Sequence, residues 1–126
     1  RQKLIWQSLS RDNGKSWTHL RLLDLPNPNA GTDAITLKNE KHVLVYNHTG
    51  RGRSPLNVAV SANGMNWSAA AVLENNPGEY SYPAVIQTKD GLVHITYTWK
   101  RESIKHVVLD ISKLPTATIM HGAWPN

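Results

Sequence analysis

Apolar residues recur at every second position along this chain, and the spacing of an amphipathic helix is scarcely found. The alternation predicts strands at Leu4-Ile5-Trp6, Ile35-Thr36-Leu37, His42–Tyr46, Leu56–Val60, Ala70–Leu73, Ala84–Gln87, Leu92–Trp99 and Ile104–Leu109. Lys38-Asn39-Glu40-Lys41 reads as a polar turn between the second and third of these. Lys89-Asp90-Gly91 reads as a hairpin turn, because Asp-Gly accepts the positive φ values that tight turns require. Beyond Leu114-Pro115 the pattern is lost, so 111–126 reads as an irregular tail.

A repeat lies inside this series. Ser10-Arg11-Asp12-Asn13-Gly14-Lys15-Ser16-Trp17 returns as Ser61-Ala62-Asn63-Gly64-Met65-Asn66-Trp67, each copy between two strands. A spacing of roughly 50 residues with one such turn per unit is the sign of four-stranded blades. The expected fold class is therefore all-β, built of β-propeller blades with about two and a half four-stranded antiparallel units. Residues 1–25 would give half a blade, 33–74 a full blade, and 80–110 three strands of a further one, within a single domain. So few blades cannot close on themselves, which leaves an incomplete ring or a ring completed by oligomerisation.

The first copy fits the Asp-box pattern Ser-x-Asp-x-Gly-x-x-Trp, with Ser10, Asp12, Gly14 and Trp17 at its fixed positions. Asp12 is placed to accept backbone N–H groups within the turn, Gly14 to supply a conformation that a Cβ resists, and Trp17 to bury its ring. The second copy uses Ser61, Asn63, Gly64 and Trp67, with an amide where a carboxylate is usual. One carboxylate is too few for a strong calcium site, so both copies read as structural hairpins.

Composition narrows the chemistry. The chain has 126 residues, no Cys, no Phe, five Trp and four Tyr, which excludes disulfides and thiol chemistry. Its net charge of +5 favours anionic partners, but the cations are scattered, so nucleic acid is not expected. No apolar run is long enough for a membrane span and no signal peptide opens the chain. Arg1-Gln2-Lys3 leads straight into a strand and reads as a cut or processed start. His48, His94 and His106 lie on different strands with no pair at recognisable metal-ligand spacing, so no metal and no cofactor is expected. Asn47-His48-Thr49 and Asn66-Trp67-Ser68 match the glycan acceptor pattern.

With these repeats, the segments Arg51–Ser61, Glu79–Val85 and Asp90–Trp99 give the chain a resemblance to the sialidase superfamily over roughly residues 6 to 112. The resemblance implies a secreted or periplasmic glycoside hydrolase, or a fragment of one, acting on a glycan with an anionic sugar. Sialidases grip the substrate carboxylate with three arginines and attack the anomeric carbon with a tyrosine paired to a glutamate. The matching positions here are Arg53, with Arg51 as a register alternative, and Tyr80 as the nucleophile. Arginine suits a carboxylate because its planar fork binds both oxygens, and a neutral phenol approaches an anionic sugar without repulsion.

Tyr82, on the same face as Tyr80, is expected to pack and is counted with Arg53, Arg51 and Trp99 among the substrate-binding candidates; Trp99 beside Lys100-Arg101 is either a sugar platform or the buried end of a hairpin. The acid/base aspartate, the activating glutamate and two arginines belong to earlier blades of such a ring. Tyr97-Thr98 stands where many sialidases carry Tyr-Glu. The alternatives are a non-catalytic carbohydrate-binding module, alone or as a homo-oligomer, and a relative acting on rhamnose–glucuronate linkages.

Overall fold

The computed structural model describes residues 2–126, so the reading of a cut start rests in part on Arg1, outside the described residues. Among the described residues ten strands form three antiparallel sheets. The first pairs β1 (Leu4–Gln7) with β2 (Arg21–Pro26). The middle sheet runs β3 (Asp33–Thr36), β4 (His42–Tyr46), β5 (Leu56–Ser61), β6 (Ser68–Glu74), with β10 (Ala117–Thr118) on its outer edge. The third is β7 (Tyr80–Gln87), β8 (Val93–Trp99) and β9 (Ser103–Leu109).

The middle sheet is the packing layer. Period-two alternation sends Val43 and Val45 to one side and Leu44 and Tyr46 to the other, and both sides are buried. One side joins Leu56, Val58 and Val60 to Val85, Val93, Ile95 and Tyr97 of the third sheet. The opposite side joins Leu44, Tyr46, Ala59 and Trp67 to Leu23 and Leu25 of the first sheet. Each such aliphatic side chain withdrawn from water contributes about 1.5–3 kcal/mol before chain entropy is subtracted. Strands with apolar residues on both faces are what a layer between two others requires.

The inner seam is also tied by a polar contact. Asp33 Oδ2 accepts the Val85 backbone N–H at 2.9 Å, linking β3 to β7. The outward faces of the stack remain uncovered: Trp6 and Leu22 on one side, Ile86, Ile104 and Val108 on the other.

Three expectations change. β7 begins at Tyr80 rather than Ala84, because a bulge interrupts its alternation: Ser81 opposes Thr98, whereas Ala84 opposes Thr96. Tyr82 sits in that bulge at φ +53° and turns out to solvent, 76% exposed, rather than packing on the face of Tyr80. The segment 111–126 is not irregular throughout. It makes a 3₁₀ turn at Ile111–Lys113, adds β10 to β6, and packs Ile119 and Trp124 against the second core.

Candidate functional site

The sheets have two ends with different chemistry. At one end lie the repeat turns. Ser10 Oγ accepts the Gly14 N–H at 2.8 Å, and Asp12 Oδ1 accepts the Ser16 N–H at 2.8 Å. Bonds from the Ser16 hydroxyl first, then from the Ser16 N–H and the Ser10 hydroxyl, hold the exposed Asp12 carboxyl below its usual pKa range. In the second turn Ser61 Oγ accepts the Gly64 N–H at 2.8 Å, and Asn63 Oδ1 accepts the Met65 and Asn66 N–H groups, both at 2.9 Å. An amide oxygen thus does the work of the carboxylate. The tryptophans part company: Trp67 is buried in the second core, whereas Trp17, expected to be buried, is 64% exposed with its Nε1–H on Gly14 O. Among the described residues the β1–β2 pair has no further layer for Trp17 to enter.

At the opposite end the loops 27–32, 47–55, 75–79 and 100–102 converge. Arg53 and Tyr80 are joined here directly. The Tyr80 N–H donates to Arg53 O at 3.0 Å, and Arg53 bridges in parallel to Glu79. The Arg53 side chain is half-buried, its Nη1 on Gly52 O at 3.0 Å, and Arg51 is exposed beside it. Register then pairs Tyr80 with Trp99 on β8. Lys100 Nζ stands 4.6 Å above the Trp99 ring, a cation–π contact that covers one face of the half-buried indole.

Lys100 and Arg101 are the central residues of the turn in the 100–102 loop between β8 and β9, with φ values of +51° and +57° and the Glu102 N–H closing onto Trp99 O at 3.0 Å. Tight turns of this hand usually take Asn and Gly. Two long cations in left-handed backbone are held here against their own preference. Arg101 reaches Glu79 at 3.4 Å across the mouth.

The phenol of Tyr80 is turned inward. Tyr80 is 1% exposed, its hydroxyl donates weakly to Pro77 O at 3.4 Å, and a Cβ on Gly78 would stand 2.8 Å from that hydroxyl. Glycine at 78 is what lets the loop close over the ring. Tyr82 points outward with its ring beside Gly31 of the neighbouring loop. Of the residues read from the sequence, Arg51, Arg53, Tyr80, Tyr82 and Trp99 share this end, while the repeat-turn residues lie at the other.

Several residues of this end have no signal in the sequence for the role they take. Asn47 is fully buried, and its Nδ2 donates to Pro55 O at 2.9 Å and to Tyr80 O at 3.0 Å, while its Oδ1 has no partner among the described residues. That side chain ties the arginine loop to the tyrosine strand, and it is closed to modification as a glycan acceptor. Tyr97, Glu74 and Lys105 form a second cluster. Glu74 Oε2 accepts from the Tyr97 hydroxyl at 2.6 Å and from Lys105 Nζ at 2.7 Å. Burial works against the Glu74 charge, yet these two bonds leave its pKa below the usual value. Burial, then the neighbouring Glu74, push the Tyr97 phenol well above its ordinary range. Only the fold brings positions 74, 97 and 105 together.

The family model of the BNR repeat-like domain matches residues 1–95. The chain belongs to that family. Its all-β sheets and its repeat turns are those of a sialidase-superfamily BNR repeat protein, whose repeats are propeller-like. None of the curated proteins and none of the solved structures matches it. Among the described residues no helix is long and apolar enough to cross a membrane.

Proposed function

We propose that the loop end of this BNR repeat-like domain recognises an acidic carbohydrate, as the carboxylate-gripping side of a sialidase-like site. The observation that carries the reading is the Arg53–Tyr80 pairing, with Tyr80 N–H on Arg53 O at 3.0 Å. Around it Arg51, Lys100 and Arg101 add positive charge to a face that also carries the exposed Glu79 and Glu102. Arg53 meets a sugar carboxylate with its free guanidinium edge, Trp99 and Tyr82 supply flat apolar surface, and the strained Lys100-Arg101 turn keeps two cations at the rim.

Recognition is favoured over turnover by the closed Tyr80 ring, whose hydroxyl lies beneath Gly78. A retaining hydrolysis would need the 75–79 loop to lift so that the phenoxide could attack the anomeric carbon, with the proton taken by a carboxylate. The Arg53–Tyr80 pairing is what keeps that second reading in play.

Titration with glycans ending in sialic or uronic acid, against their neutral counterparts, tests the proposal. Acidic glycans should bind, neutral ones should not, and Arg53→Ala should weaken binding at least about tenfold, or ~1.4 kcal/mol. Equal binding of neutral glycans, or no effect of Arg53→Ala, would remove it. Turnover of a sialoside that Tyr80→Phe abolishes would establish the hydrolytic reading.

A further inference from the structure

The outward face of the third sheet carries two imidazoles in register to act together. His94 on β8 and His106 on β9 are diagonal neighbours, since His94 opposes Val108 and Thr96 opposes His106. His94 Nδ1 and His106 Nε2 lie 2.9 Å apart, and the rings stack with centroids at 5.1 Å and planes at 16°. Neither ring makes a hydrogen bond to any other protein group among the described residues. His106 is exposed and His94 partly so, which keeps the water side of the pair open. Two of the other histidines differ: His42 Nδ1 is held by Thr36, and His48 by Tyr46 and Gly122.

We propose that His94 and His106 form a two-imidazole chelate for a divalent cation of tetragonal preference, Cu²⁺ or Ni²⁺, whose remaining positions are filled by water. Two neutral imidazoles with no thiolate or carboxylate beside them rank divalent first-row metals in the general order that places Cu²⁺ highest, and nitrogen donors suit its tetragonal coordination. Without metal the two nitrogens share one proton, one ring donating and the other accepting. Rotation of both rings about the soft χ2 torsion turns their lone pairs toward a common point outside the sheet. Two antiparallel strands in regular pairing hold the Cβ positions, so little ordering is left for the metal to impose. Among the described residues no cluster of three or more His, Cys, Asp or Glu side chains could hold a metal, so the site is a labile one with open positions.

The test is Cu²⁺ titration of the untagged chain, read by electron paramagnetic resonance and by isothermal calorimetry. A saturable one-to-one tetragonal signal with splitting from two nitrogens, weakened at least tenfold in both His94→Gln and His106→Gln, is the expected result. Substoichiometric Cu²⁺ should broaden the His94 and His106 ring resonances of the unaltered protein before those of His19 and His121, which needs no variant to fold. Absence of a saturable site, unchanged binding in either variant, or first broadening at His19 or His121 would overturn the assignment. Zinc should bind more weakly than Cu²⁺, as the order of divalent metals at imidazole nitrogen requires, and equal or tighter zinc binding would overturn the Cu²⁺ assignment.

Discussion

The Tyr97 hydroxyl donates to Glu74 Oε2 at 2.6 Å across the seam between the third sheet and the end of β6. The same oxygen takes Lys105 Nζ at 2.7 Å, so one carboxylate anchors three strands just before the loop that carries Tyr80. Glu74→Ala leaves a buried phenol without an acceptor and should cost about 2–3 kcal/mol in chemical denaturation. Tyr97→Phe removes the donor but leaves Lys105 in place, and should cost about 1 kcal/mol. Because the Glu74 pKa is lowered in the folded state, its contribution is present above the unfolded value of 4.5 and is lost as pH falls below it. In Glu74→Gln that part of the acid slope should disappear.

A second pH dependence sits at a higher window. Gly122 O can only accept, so His48 Nε2 carries the hydrogen at 2.9 Å and Nδ1 accepts the Tyr46 hydroxyl at 2.6 Å. Burial lowers the His48 pKa, and the bond to Gly122 offsets this only in part. The unfolded chain therefore binds a proton near pH 6.5 that the folded chain refuses. Stability should be full above that value and decline as pH falls through the folded pKa. Urea midpoints between pH 7.5 and pH 5 check this, and His48→Gln should flatten the decline.

The two repeat turns should respond unequally to the same substitution. Trp67→Ala empties part of the second core and should cost about 3–5 kcal/mol, whereas Trp17→Ala alters an exposed ring and should stay within about 1 kcal/mol. Thermal unfolding of the two variants distinguishes them, and equal losses would mean that Trp17 is buried in solution.

Strain and charge are separable at the rim. Replacing Lys100-Arg101 by Asn-Gly suits the left-handed turn and should raise stability by about 1–2 kcal/mol. The same variant removes two cations from the loop end, and acidic-glycan binding should fall with it. A variant both more stable and equally able to bind would show that the turn serves no ligand.

The strands were legible because alternation is a local property: His42–Tyr46 is bounded identically by pattern and by structure. The repeat turns were legible for the same reason, since Ser, Asp or Asn and Gly at fixed offsets build a turn wherever they occur. Tyr82 was not, because a single extra residue in β7 reverses every side chain before it, and Tyr-Ser-Tyr-Pro carries no mark of the bulge. Trp17 followed the motif of its neighbour Trp67, but burial depends on a facing layer and not on the turn itself. Asn47, Glu74 and the His94–His106 pair are products of register between distant strands, which no local window contains.

The middle sheet takes its outermost strand from the far side of the third sheet, with Ala117 opposite Ala69 and Thr118 opposite Ser68. During synthesis, β6 must therefore wait with one flank bare while the whole of β7 to β9 is made. Any neighbouring nascent chain that offers a strand in that interval competes for the place β10 will take. The β10 clasp covers only Ser68 and Ala69, so the rest of the β6 flank keeps the bare backbone of an edge strand even after β10 has docked.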